Sequence, residues 1–310
     1  WAVNSRLNQL TAWSNDPVAD PPSECFLLQD LSRRETWSVT PNVWGDSQLR
    51  YRVSHAPGLS LISHRRGELE VTACWCVDPQ TSVKQISLRL VNHGRRPLQL
   101  RVLALVEWLL GASRADRNTV HAALHRQRLS SLPASGRADQ AEPVATLTAL
   151  LGTQTEQAGG FGQGTAFLAT VHQERQTTDW TCDRREFFDP GGGLCWPDQL
   201  GQRQGAGLDP CAALATTLLL SPGQALEQRF LLGYAADPEA ARQLAHAAAL
   251  KPSGQRQDEV CASWDQLLGA TQVKTPDPLF DLMVNRWLLY QTVACRLWAK
   301  AGFYQAGGAT

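Results

Sequence analysis

For about 235 residues this chain alternates short apolar runs with turn residues, and then its period changes. Cys25–Gln29, Ser60–Ser63, Leu69–Val77, Ser82–Val91, Leu98–Trp108, Thr165–Val171, Ala212–Leu220 and Ala225–Gly233 all read as strands. Turn signals separate them: Asp78-Pro79, Asn92-His93-Gly94, Asp189-Pro190-Gly191 and Ser221-Pro222-Gly223. Strand-like runs at this spacing, without intervening helices, predict a mainly β chain folded as an antiparallel sandwich. With so many residues committed, it is a large one. Val83–Val91 and Leu98–Trp108, joined by Asn-His-Gly-Arg-Arg-Pro, predict a hairpin. Residues 112–164 are the least regular part, rich in Ala, Gln, Ser and Gly, and read as a long functional or disordered loop.

From Asp237 the pattern is helical. Asp237 can cap and Pro238 can start a helix through the Ala-rich Glu239–Leu250, which Lys251-Pro252-Ser253-Gly254 ends. Asp258–Leu268 predicts a second helix, closed by Gly269. Asp277 and Pro278 then open a third, in which Leu282, Trp287, Leu289, Val293, Leu297 and Trp298 recur at roughly helical spacing. That helix is apolar on more than one face, as a helix buried among other helices would be. The expectation is therefore a protein that continues past residue 310, and the N-terminal Trp-Ala-Val-Asn-Ser reads as an internal start.

Lys plus Arg and Asp plus Glu number 29 each, so bulk electrostatics excludes nucleic acid and a polybasic membrane surface. No apolar run reaches the roughly 18 to 20 residues of a membrane span. Eight cysteines are too sparse at this length to require a disulfide framework and read as buried thiols of a cytoplasmic protein. Cys74 and Cys76, two apart on an expected strand, share a face. With His55, His64 and His93 they do not make a usual zinc spacing, so no metal is expected. Glycines 159, 160, 162 and 164 lack the dinucleotide spacing and lead into a strand, which favours a loop. Asp179, Asp183, Glu186 and Asp189 lie close together with Arg184 and Arg185. A glycosidase pair is one reading, and mutual ion pairing is the favoured one. Of the eleven tryptophans, Trp13, Trp37, Trp44, Trp180 and Trp196 fall in or beside expected loops, where an indole can stack on a pyranose ring. Trp13, Asn15 and Asp16 form the strongest candidate of this kind, against the plainer reading that such rings plug the sandwich or pack on a further domain.

Several stretches resemble glycoside hydrolase family 94. Asn285-Arg286-Trp287-Leu288-Leu289-Tyr290-Gln291-Thr292, Cys295-Arg296, Phe303-Tyr304-Gln305 and Gly307-Gly308 resemble the start of its catalytic barrel. Trp1–Ser5, Trp13–Val18, Val106–Gly111, Asp183-Arg184, Glu186-Phe187, Gly205–Leu214 and Leu231–Gly233 resemble its sandwich. Residues 112–150 match poorly, and Phe188-Asp189-Pro190 departs from the pattern. The family holds the cellobiose, cellodextrin and chitobiose phosphorylases and the phosphorylase-like module of the cyclic β-1,2-glucan synthases, and the synthase branch is the most similar.

The resemblance implies a large antiparallel β-supersandwich over residues 1–235, linker α-helices over 236–274, and over 275–310 the first helix of a truncated (α/α)6 barrel. It implies an inverting glycosyltransferase of phosphorylase type, acting on a β-glucan oligosaccharide with inorganic phosphate as co-substrate and no cofactor. One carboxylic acid protonates the glycosidic oxygen while phosphate attacks the opposite face. That acid lies in the barrel, so no residue here is catalytic, and the chain alone is expected to be inactive. Tyr304 and Gln305, within the resembling stretch, join Trp13, Asn15 and Asp16 as candidate substrate-binding residues. The implied partners are the barrel in cis and a second copy in a homodimer, in the cytoplasm or on the cytosolic side of an inner-membrane protein. The rival readings are a free-standing carbohydrate-binding or structural sandwich and a soluble cellobiose or cellodextrin phosphorylase.

Overall fold

The structure, a computed structural model, describes residues 1–5, 7–12, 23–41, 46–129, 145–156, 162–173, 176–191 and 193–298. It is mainly β, with two antiparallel sheets followed by helices. The six-stranded sheet runs β12 (Thr177–Asp183), β13 (Pro210–Leu220), β8 (Leu98–Gly111), β2 (Glu24–Asp30) and β3 (Glu35–Ser38), and β1 (Gln9–Thr11) also pairs with β8. The eight-stranded sheet runs β4 (Arg52–Ala56), β5 (Leu59–Arg66), β6 (Leu69–Val77), β7 (Lys84–Asn92), β14 (Ala225–Ala235), β11 (Thr165–Gln173), β10 (Ala145–Gln154) and β9 (Val120–Leu129).

The near-continuous apolar run of β8 reflects cover on both faces. Leu100, Val102, Ala104, Val106 and Trp108 point into the core between the sheets, while Leu103 and Leu105 join an outer cluster with Phe187 and Leu200. The strands of the other sheet divide in the same way. Leu168 of β11 and Phe230 of β14 face inward, whereas Phe167 and Leu231 face the helix α1 (Pro238–Leu250). The result is four layers: an irregular outer segment, the six-stranded sheet, the eight-stranded sheet, and helices.

Two sequence expectations need correction. The run through Val83–Val91 and the one from Leu98 do not pair as a hairpin, because β7 and β8 lie in different sheets. The turn between them is a corner held by Asn92, whose Nδ2 donates to the carbonyls of Arg96 and Leu220 and whose Oδ1 accepts from Gly94 N. An apolar pattern shows that both strands are buried and does not show which neighbour each takes. Residues 112–164 are likewise not one loop. They contain β9 and β10, paired in register from Val120↔Gln154 to Leu129↔Ala145. β9 is a polar edge strand and β10 is rich in Ala and Thr, so neither carries strong strand propensity, and tertiary pairing overrides it.

The helices start where their caps predict. Asp237 Oδ1 accepts from Ala240 N ahead of α1, and Asp277 Oδ1 accepts from Leu279 N and Phe280 N ahead of α3 (Pro278–Leu282). The second helix, α2 (Ser253–Leu268), begins five residues earlier than expected, directly after Pro252. The third continues from α3 through wider π turns at Met283–Leu288, α4 (Leu289–Thr292) and further π turns at Val293–Trp298. No helix among the described residues is long and apolar enough to cross a membrane.

Candidate functional site

Interleaved acids and arginines lie along the end of β12 and the turn after it, on the outer layer. Asp183 is fully buried and accepts from Arg185 Nε at 2.9 Å, Arg185 Nη2 at 2.7 Å and Arg203 Nη1 at 3.0 Å. Burial pushes its carboxyl up, but the hydrogen bonds from Arg185 and Arg203 outweigh burial and hold it at about 2. Glu186 accepts from the Thr181 hydroxyl and Gly201 N, both at 2.7 Å. Asp179 accepts from Arg101 Nη2 at 3.0 Å and Leu200 N at 2.6 Å. Asp189 holds its own turn by accepting from Gly191 N and Gly193 N. Each of the four carboxylates has its own donors, but within the run only Asp183 and Arg185 pair with each other; Asp179 takes Arg101, Glu186 takes Arg203, and Asp189 takes backbone N–H groups.

Beside them lies an open cleft of about 490 Å³, lined by Arg184, Arg185, Phe188, Asp189 and Asp209. A short 3₁₀ turn, Arg184–Phe187, aims Phe187 into the outer cluster and leaves Arg184 and Phe188 at the cleft. Arg184 Nε donates to Asp209 Oδ2 at 2.8 Å, and its guanidinium sits 4.6 Å from the Phe188 ring centre. Arg117 also donates to Asp209. Behind this pair Glu107 is buried, with Arg184 Nη1 3.5 Å and Arg117 Nη1 4.0 Å away. Burial raises its pKa, with Arg184 and Arg117 pulling the other way. Asp209 and Glu107 are far from Arg184 in sequence; they fall within the family-like stretches Gly205–Leu214 and Val106–Gly111, but nothing local joins them to Arg184.

The helical layer is built differently. Arg256 of α2 is 1% exposed and donates to Asp78 Oδ2, Gln85 Oε1 and the carbonyl of Ala248. Lys251 Nζ reaches the same Asp78 at 2.8 Å. Trp264 packs over the β4–β5 turn at Gly58, where φ is +76° and a Cβ would lie 2.4 Å from the indole. Tyr290 of α4 lies 4.8 Å from Trp264, ring to ring. Leu289, Tyr290 and Val293 thus meet the sandwich, while Leu279, Phe280, Leu282, Met283, Trp287 and Leu288 remain exposed.

The candidates Trp13, Asn15, Asp16, Tyr304 and Gln305, and also Trp44, lie outside the described residues. Trp37 and Trp180, expected beside loops, lie instead on β3 and β12, buried in the core between the sheets. Trp196 packs on the outer cluster beneath the Arg101 guanidinium at 5.0 Å. Cys74 and Cys76 are buried, and burial raises their thiols to about 11 and about 12. His55, His64 and His93 engage Ser60, Trp37 and Glu70 respectively, and no group of metal-ligating side chains occurs among the described residues.

Comparison with known proteins gives consistent results. The family model described as glycosyl hydrolase 94, supersandwich domain, matches residues 1–249, and the one described as glycosyl hydrolase 94 superfamily, catalytic domain, matches residues 263–310. The chain is 29% identical over 317 residues to a cyclic beta-(1,2)-glucan synthase of Rhizobium meliloti, covering all of this chain and 10% of that protein. It is 30% identical over 115 residues to an N,N'-diacetylchitobiose phosphorylase of Vibrio proteolyticus, covering 32% of this chain and 12% of that protein. The chain thus spans about a tenth of the length of these relatives. Among solved structures, a bacterial glucoamylase complexed with acarbose superposes with a TM-score of 0.46 at 7% identity, over 79% of this chain and 31% of that one.

Proposed function

Because the chain belongs to glycoside hydrolase family 94, we propose that it is the sandwich part of an inverting, phosphorylase-type glycosyltransferase acting on β-linked glucans, of the cyclic β-1,2-glucan synthase kind. The observation that carries this reading is the order of the two family matches, supersandwich and then catalytic domain, along one chain. The full-length alignment with a glucan synthase supports the synthase branch over the phosphorylases, whose alignment covers a third of the chain.

On this reading residues 1–235 are the supersandwich, 236–274 the linker, and 275–310 the start of an (α/α)6 barrel. The exposed apolar face of Leu279, Leu282, Met283 and Trp287 is where the remaining barrel helices pack in cis. The linker braces the barrel on the sandwich, with Arg256 tying α2 to Asp78 and Gln85 and Trp264 meeting Tyr290, and a homodimer is the expected assembly. Inorganic phosphate is the co-substrate, no cofactor takes part, and the protein works on the cytoplasmic side. No residue of this chain is given a catalytic role.

The test is phosphorolysis. A protein carrying this chain together with a complete family 94 catalytic domain is expected to release glucose 1-phosphate from β-1,2-linked gluco-oligosaccharides and phosphate, while residues 1–310 alone release none. Absence of sugar phosphate from the longer protein with every β-glucan tried would overturn the proposal.

A further inference from the structure

We propose that the cleft formed by Arg184, Arg185, Phe188, Asp189 and Asp209 binds a neutral gluco-oligosaccharide. The proposal rests on the family reading for the identity of the sugar, while the site itself is argued from its geometry. Its volume falls within the roughly 300–1,000 Å³ of small-molecule sites.

The charge of the walls selects the ligand. Two guanidiniums and two carboxylates line the cleft, so the lining is formally neutral. The guanidiniums are already matched, Arg184 to Asp209 and Arg185 to Asp183. An anion such as phosphate would have to displace a carboxylate and would face Asp189 and Asp209 as well. A cation would meet Arg184 and Arg185. A polyhydroxylated, uncharged ligand meets neither penalty, because each hydroxyl can donate to a carboxylate oxygen and accept from a guanidinium N–H. Phe188 adds a small apolar surface to the cleft: one ring face carries the Arg184 guanidinium and the ring also packs on the outer cluster, so what it offers a sugar C–H is the part that lines the cleft.

The walls are also fixed in advance. Arg185 is held in a fork by the fully buried Asp183, and Asp189 closes its own turn through Gly191 N and Gly193 N. Phe188 is pinned by a bridge to Leu194, and Cys195 N donates to the Phe187 carbonyl. Little side-chain freedom is lost on binding, which lowers the cost of association.

The experiment titrates the protein with a linear β-1,2-linked gluco-oligosaccharide by calorimetry and amide NMR, with inorganic phosphate as competing probe. Phe188→Ala and Arg185→Gln are compared with wild type after circular dichroism shows that both fold; Arg185, with its side chain 59% exposed, is the safer of the two for folding. The expected result is a loss of affinity on the order of tenfold in Phe188→Ala, shifts centred on residues 184–189, and no displacement by phosphate. Undetectable glycan binding by wild type, unchanged affinity in both variants, or displacement by phosphate would each overturn the proposal. The two readings fail separately. If the longer protein releases glucose 1-phosphate while both variants leave affinity unchanged, only the cleft proposal falls. If the cleft binds glycan but no phosphorolysis occurs, only the activity falls.

Discussion

The two outer layers of this sandwich cover apolar sheet faces by opposite means. Over the eight-stranded sheet, α1 lays Ala241, Ala245, Ala248 and Ala249 against Leu147, Phe167 and Leu231, and α2 inserts Trp264 and a single deeply buried arginine. Over the six-stranded sheet, an irregular segment buries Phe187 and Leu200 and keeps a rim of paired acids and arginines at the surface. The first layer buries Arg256 against Asp78, keeps its other charges, such as Glu239 and Asp265, on the solvent side of the helices, and suits bracing. The second leaves polar groups fixed yet accessible and suits recognition. Secondary structure explains the difference. A helix satisfies its own backbone and can present small side chains at close range, whereas an irregular segment needs side chains to satisfy its backbone, and carboxylates accepting from N–H groups serve that need.

Substitution should separate the layers in stability. The largest effect is expected for Trp264→Ala, which leaves a cavity over Gly58 and should cost about 3–5 kcal/mol in urea unfolding. A loss under about 1 kcal/mol would mean that α2 contributes little to the sandwich. Next comes Arg256→Met, which strips a buried Asp78 and Gln85 of a shared partner and should cost about 3 kcal/mol. Because Lys251 still pairs with Asp78 and neutralises it, adding Asp78→Asn should cost further stability, and a recovery instead would argue that Arg256 was the main counter-charge of Asp78.

The third effect concerns pH and the core both layers enclose. His64 is 4% exposed, accepts from Trp37 Nε1 at 3.0 Å, and is lowered to about 4 by burial first and by the nearby Arg66 second. The unfolded imidazole titrates near 6.5, so the unfolded state binds more protons between that value and 4. Stability should therefore fall as pH drops from about 6.5 to 4, by about 3 kcal/mol in total, and the fall should vanish in His64→Gln. Asp183 works lower: its stabilisation is present above the ordinary carboxylate range and is lost as pH falls toward about 2. An acid limb confined below pH 4 would show that His64 is more solvated than its packing implies. The smallest effect is expected in the recognition layer. Arg185→Gln removes an exposed partner from Asp183 while Arg203 remains, and should leave the urea midpoint almost unchanged. A clear drop in midpoint would move this rim from recognition to bracing.

Much of the architecture was legible beforehand. β6 was read at its observed bounds from its alternation of buried and half-buried residues, and β8 and β13 at one of theirs, because a central strand buried on both faces writes an apolar run into the sequence. The caps at Asp237 and Asp277 were equally plain, since capping is a local hydrogen bond. The edge strand β9 and its Ala/Thr-rich neighbour β10 were not, because their order comes from pairing rather than propensity. The candidate cleft was half legible. Arg184, Arg185 and Asp189 were singled out together, but Glu107 and Asp209 arrive from β8 and from the approach to β13.

By itself, then, the sequence determined the mainly β class, the change to helix at residue 237, the family, and the clustering of acids and arginines around the end of β12. Each is written in neighbouring residues: periodicity, caps, motifs and local charge. Only the tertiary structure decided that β7 and β8 part into separate sheets, that Trp37 and Trp180 serve the core, and that Asp209 completes a cleft with Arg184. Those outcomes depend on which apolar faces meet across the sandwich, a choice made by packing between residues up to a hundred or so positions apart and invisible to any local pattern.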